Sequence, residues 1–284
     1  MAEKLNLTSQ SGWSLDRRNP AVIHSLMPVW ELFYRYYFRV ETSGWEHIPT
    51  HQNGMLVGSH NGGIAAPDMF MMMYDWFRRF GLEREAYGLL HPSTWKVAPA
   101  IADVAAQVGA VVAHPKMAIA ALRRKADVLV YPGGVKDVFR PHEMRHKICL
   151  GGNQAFVRLA LEYEVPIVPL ISYGAHDTLI ILADFYNQVR QLHEWGMPWL
   201  FNVDPEVFPV YLGLPWGLAL GPLPNIPLPV KMYTRVCPPI YFERYGRDAT
   251  RDRAYVNACY NQVCAQMQHA MNDLVLNVEQ NRTL

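Results

Sequence analysis

Cysteine is scarce and unpatterned. Cys149, Cys237, Cys259 and Cys264 form no Cys-x-x-Cys pair and no zinc-type spacing, which argues against a secreted disulfide framework and for reduced thiols inside a cell. Charge is thin too: 18% of residues are charged and the net charge is +1, so no overall field draws the chain onto nucleic acid. The one His-Glu-x-x-His string, HEMRH from His142 to His146, has no obvious third ligand nearby in sequence, and no serine sits between suitably placed glycines. Those absences weigh against a metal-dependent hydrolase, despite 11 histidines, and against a serine lipase. The start, MAEKLNLTSQSGW, lacks the basic opening and apolar stretch of a secretory signal, so export is not expected. Between Glu206 and Lys231 run 24 residues without a charge, but six are proline and three are glycine. A segment so broken would leave backbone groups unsatisfied in lipid. It reads as an apolar loop, either buried or dipping into a membrane face.

What is present is an alternation of strands and helices. Strands are expected at Met55 to Ser59, Ala86 to Leu90, Ala110 to Ala113 and Val128 to Tyr131, with a buried strand in VPIVPLISYG and a late one in VKMYTRV. Helices are expected from about Pro67 to Phe80, around Trp95 to Gln107, and in NQAFVRLALEY. The pattern predicts an α/β fold with helices flanking a central, mostly parallel sheet and a long amphipathic C-terminal helix. Residues 1–44 read as an N-terminal helical segment, its MPVWELFYRYYFRVE stretch lying against the body or in a membrane interface. Residues 45–284 read as one domain.

The stretch GSHNGGIAAPD carries the chemistry. His60 leaves a buried strand at a glycine-rich turn, which exposes it at the end of the sheet. Gly62 and Gly63 let the chain reverse there. If it turns back by Pro67, Asp68 can accept from one imidazole nitrogen and fix the tautomer, leaving the other to take a proton. General-base catalysis of this kind is worth about 10² to 10⁴ in rate. The bland alternative makes His60 a core residue and Asp68 a helix cap.

Four ordered blocks, SHNGGIAAPD, GAVVAHPKMAIAAL, LVYPGGVKD and VPIVPLISYGAHD, resemble those of the glycerolipid acyltransferases, a family that includes lysophosphatidate and diacylglycerol acyltransferases. The resemblance spans about Val40 to Asp177. The commonest motif of the family has four residues between His and Asp; here seven intervene and position 65 is alanine. The double-glycine subgroup also has a longer interval. The resemblance implies a glycerol-3-phosphate acyltransferase-like fold and a place in lipid metabolism. It also implies transfer of a fatty acyl group from acyl-CoA or an acyl carrier protein, as co-substrate, to a lipid hydroxyl, without metal, cofactor or covalent intermediate. His60 would deprotonate the acceptor, and Gly133 and Gly134 would offer N–H groups to the oxyanion, each donor worth about 3 to 4 kcal/mol.

Around that turn, residues 114–147 carry eight Lys or Arg against three acids. His114, Lys116, Lys136 and Arg140 are the candidates for phosphate groups of the donor or acceptor, while Arg123, Arg124 and Lys125 read as a helix end. Met69, Met72, Met73 and Trp76 are the candidates for an acyl channel, although a methionine-rich helix is more often core. The expected partners are an acyl thioester, a lipid acceptor and a membrane surface, met from the cytoplasmic side by peripheral or monotopic association. Acceptor identity and oligomeric state stay open, and a non-catalytic lipid-binding module is the competing reading.

Overall fold

The computed structural model describes residues 12–199 and 204–282; the start of the N-terminal segment, residues 1–11, lies outside them. In chain order the elements are α1 (Pro20–Leu32), β1 (Glu41–Ser43), β2 (Met55–Gly58), α2 (Pro67–Phe80), β3 (Ala86–Leu90), α3 (Pro92–Val97), α4 (Pro99–Gln107), β4 (Ala110–Val112), α5 (Pro115–Arg123) and β5 (Asp127–Val130). They continue with α6 (Gly134–Val138), α7 (Ala155–Glu162), β6 (Ile167–Tyr173), β7 (Ile180–Asp184), α8 (Tyr186–Glu194), β8 (Pro209–Gly213), β9 (Gly217–Leu220), β10 (Tyr233–Val236), α9 (Gly246–Arg251) and α10 (Arg253–Arg282).

Seven strands form the main sheet in the order β1-β10-β6-β2-β5-β3-β4. β6, β2, β5, β3 and β4 run parallel, and β10 is antiparallel to β6. This is the expected α/β class. Both faces of the central strands are covered, so they read as unbroken apolar runs. In β2, Met55 and Val57 point into one core layer, with Val128, Ile167 and Val263, whereas Leu56 points into the other with Trp76, Leu129 and Val168. The long α10 lays Val256, Cys259, Val263, Met267, Met271, Leu274 and Val278 on the first layer, a stripe at helical spacing.

The segment before residue 45 is built into this body. Asn19 caps α1 by accepting from the Ala21 N–H at 3.0 Å, Ile23 of α1 is sealed in the second core layer, and β1 pairs with β10. Among the described residues no helix is long and apolar enough to cross a membrane.

Two sequence readings are corrected. The single helix expected from Trp95 to Gln107 is two, α3 and α4, because Pro99 has no N–H to continue α3 and forces Ala98 out of helical backbone. The apolar stretch 207–230, read as a loop, contains the hairpin of a second sheet, β7-β8-β9. Its inner face, with Ile181, Tyr211 and Ala219 in register, packs against Val138 and Phe139. The outer face is apolar as well: Leu182, Leu212, Leu218 and Leu220 are exposed there.

Candidate active site

β2 sits between β5 and β6, and all three run the same way, so their carboxyl ends gather His60, the Pro132–Gly134 turn and His176 along one edge of the sheet. Such a point, where successive crossovers leave on opposite sides, is where open α/β sheets place their ligands. β2 ends in glycine because a Cβ at Gly58 would lie 2.2 Å from the Tyr131 ring, which crosses the end of the strand. The Tyr131 ring in turn lies under the His60 imidazole, centroids 4.5 Å apart. Burial pushes the Tyr131 hydroxyl well above its usual range, with the Asp68 and Asp137 charges adding to the effect.

The loop then reverses through left-handed backbone at Gly62 and Gly63, with φ of +77° and +69°, and at Ala66, φ +42°. Ala66 is the strained position, at about 1 kcal/mol for a residue with a Cβ. The reversal starts α2 at Pro67 and returns Asp68 toward the histidine. His60 Nδ1 stands 3.4 Å from Asp68 Oδ1, with 18% of the histidine side chain exposed and 1% of the aspartate. Nδ1 has no hydrogen-bond partner, so the pair is in ion-pair reach without a formed hydrogen bond. Catalytic contacts of this kind are commonly long before substrate binds. Asp68 Oδ1 also accepts from the Met69 N–H at 2.9 Å, so the carboxylate serves the helix start as well.

Beneath the loop lies a buried polar cluster that sequence reasoning missed. Asp137 and Arg140, 0% and 4% exposed, form an ion pair at 2.8 Å. Asp137 also accepts from the Ser59 hydroxyl at 3.1 Å and from the His60 N–H. Burial pushes the Asp137 carboxyl up, to about 6, with Arg140 and the His60 N–H pulling the other way. Behind it, His176 donates Nε2–H to the Arg140 carbonyl at 2.9 Å, and burial with the nearby Arg140 charge lowers it to about 3. The Asp–Arg spacing of three in GGVKDVFR was the available signal, since a turn closing over that spacing, as the Arg140 N–H does onto the Asp137 carbonyl at 3.3 Å, brings the two side chains together.

The remaining candidates divide. Arg140 is corrected: its guanidinium is spent on internal acceptors and cannot meet a phosphate. The acyl-channel reading of α2 is corrected too, because Met72 and Trp76 are sealed in the second core layer and Met69 and Met73 pack against it. Gly134 is a poor oxyanion donor here, as its N–H turns to the Tyr131 carbonyl at 3.3 Å. Gly133 is glycine for space, since a Cβ would meet the Cys149 carbonyl at 2.2 Å. His114 caps α5, accepting from the Lys116 N–H at 3.2 Å. It follows β4, three strands from β2 and therefore about 14 Å away. Lys116 is exposed beside it, and Lys136 is exposed on α6, next to the glycine turn. Asp75 holds Arg78, Arg79 and Thr42 deep in α2, away from the histidine. Among the described residues no three histidine, cysteine or acidic side chains are placed to hold a metal ion.

No protein-family profile matches the sequence. Similar curated proteins are uncharacterized: one from Mycobacterium leprae is 25% identical over 90% of this chain and 65% of its own length, and one from Mycobacterium tuberculosis is 26% identical over 90% and 66%. The chain thus spans about two thirds of those relatives. Among solved structures, the 1-acyl-sn-glycerophosphate (LPA) acyltransferase PlsC from Thermotoga maritima superposes with a TM-score of 0.52 at 13% identity, covering 89% of this chain and 79% of that one. The fold is therefore that of a PlsC-like α/β protein. At that identity the likeness carries the fold alone.

Proposed function

We propose that the protein transfers a fatty acyl group from a thioester, acyl-CoA or acyl carrier protein, to the hydroxyl of a glycerolipid or lysophospholipid, with His60 as general base and Asp68 as its orienting acid. The observation that carries this reading is the His60–Asp68 pair at the carboxyl end of the central strand, its ring partly open and its partner sealed. Asp68 holds Nδ1, and Nε2 accepts the proton of the acceptor hydroxyl. The alkoxide attacks the thioester carbonyl, the tetrahedral intermediate collapses, and the thiolate leaves with the proton carried by His60. The PlsC-like fold supports the same reading, as does the order of the four sequence blocks. Lys136, exposed beside the glycine turn, is a cation suited to a phosphate of the donor.

A lipid substrate has to be taken from a bilayer, and the outer face of the small sheet suits that task. An antiparallel sheet with one open face normally alternates apolar inward and polar outward. This one is apolar on both sides, with Trp216 exposed at its hairpin. The following segment reaches the proposed site, where Asn225 donates to the Gly62 carbonyl at 3.3 Å. We place the protein on the cytoplasmic side of a membrane, associated peripherally or monotopically.

The test is incubation with a panel of acyl thioesters and mixed lipid acceptors, with products identified by mass spectrometry. Acyl products are expected, and His60→Ala should lower their rate by about 10² to 10⁴. No product with any combination, or an undiminished rate in the variant, would overturn the reading.

A further inference from the structure

Ser59, Asn61, Asp137 and Arg140 are buried polar side chains in a fold whose other buried positions are mainly apolar. Burying an ion pair carries a desolvation penalty, and an apolar pair of similar volume often holds a core as well or better. What distinguishes this pair is where its bonds go. Asp137 takes the backbone N–H of His60, and Arg140 Nη1 donates to the His60 carbonyl at 2.6 Å. Both backbone polar groups of the proposed base are therefore fixed by one buried pair, 77 and 80 positions away in sequence.

The second arm reaches the acid. Arg140 Nη2 donates to Asn61 Oδ1, which settles the Asn61 amide with its nitrogen turned the other way. That nitrogen donates to the Ser59 carbonyl at 2.8 Å and to Asp68 Oδ2 at 3.1 Å. A terminal carboxylate torsion is otherwise broad and roughly two-fold. With Oδ2 tied to Asn61 and Oδ1 to the Met69 N–H, the plane of the carboxylate is set, and the oxygen left facing His60 Nδ1 is Oδ1.

We propose that Asn61, held by the buried Asp137–Arg140 pair, is a positioning residue: its amide sets the Asp68 carboxylate so that His60 keeps its proton on Nδ1 and presents Nε2 as the base. This rests on the reading of His60 as general base. A loss of that alignment by a fraction of an ångström is enough to lower turnover strongly while leaving substrate binding nearly intact.

The experiment compares wild type with Asn61→Ala in two measurements. Long-range proton–nitrogen NMR of histidine-labelled protein, with the His60 signals assigned by their disappearance in His60→Gln, reads the tautomer directly. Wild type should show the Nδ1–H form, and Asn61→Ala should shift toward the Nε2–H form that free imidazoles favour in water. In the acyl-transfer assay kcat should fall about tenfold or more with KM changed less than about threefold. If the alanine variant does not fold, Asn61→Ser keeps an acceptor for Arg140 and is expected to give the same two changes. A wild-type tautomer together with a wild-type kcat in the folded variant would overturn the proposal. Absence of acyl transfer by wild type itself would instead sink the proposed activity, and the NMR comparison would still decide the positioning role.

Discussion

Replacing Arg140 by lysine separates an internal clamp from a substrate-binding cation. The guanidinium makes six hydrogen bonds: Nε to the Met144 carbonyl, Nη1 to the His60 and Asp137 carbonyls and to Asp137 Oδ1, and Nη2 to Asn61 Oδ1 and the Arg145 carbonyl. A lysine ammonium has three N–H groups, so at least three of those acceptors lose their donor even if the ammonium sits ideally. At about 1 kcal/mol net per buried hydrogen bond, Arg140→Lys should cost about 3 kcal/mol although the charge is retained. For a chain of this length that lowers Tm by about 6 °C, readable by circular dichroism. Turnover should drop with it, because one ammonium nitrogen cannot stand both where Nη1 holds the His60 carbonyl and where Nη2 holds Asn61. Were Arg140 instead a phosphate ligand, lysine would leave Tm unchanged and raise KM for a phosphate-bearing thioester. That pattern would refute the assignment.

Other perturbations check other parts of the structure. His176, held at about 3 in the folded chain, ionises near 6.5 when unfolded. Its contribution to stability is therefore whole above pH 6.5 and falls by up to about 1.4 kcal/mol per pH unit below it. Wild type should lose about 2 kcal/mol more than His176→Gln between pH 7 and pH 5 in urea unfolding, and parallel curves would contradict the burial argument. Gly133→Ala drives a Cβ to 2.2 Å from the Cys149 carbonyl and should cost about 2 to 3 kcal/mol. Gly134→Ala meets open space at φ +58° and should cost only about 1 kcal/mol of backbone strain, so equal losses in thermal denaturation would argue against the turn geometry. Leu218→Glu with Leu220→Glu, on the exposed sheet face, should change unfolding free energy by less than about 1 kcal/mol yet reduce cosedimentation with phospholipid vesicles. Unreduced cosedimentation would remove that face from the membrane contact.

The main sheet was legible because its signals are local. Pro67 opens α2 and Gly81 follows its end, and the expected range matches the observed one. The unbroken apolar runs at Met55 and Ile167 announce strands covered on both faces. The small sheet was illegible for the opposite reason. Both of its faces are apolar, which erases the period-two alternation, and its prolines read as breakers although Pro209 sits at the first position of β8, where a missing N–H costs little. At the proposed site the split runs along sequence distance. His60, Gly62, Gly63 and Asp68 lie within nine positions and their relation follows from turn chemistry.

Asp137 and Arg140 could be read only as charges, and a count of cations in residues 114–147 assigns every one of them to the surface by default. Only the parallel pairing of β2 with β5 brings the end of α6 and the residues just after it under the His60 loop, turning Arg140 from a candidate ligand into a buried donor. The same pairing exposes Lys136, one position before Asp137 on the same short helix. Helical geometry puts neighbouring residues about 100° apart, so one can face the interior while the next faces solvent. Any site assembled from separate strand ends will hide its supporting residues in this way, because their burial is decided by strand order and not by the residues that flank them.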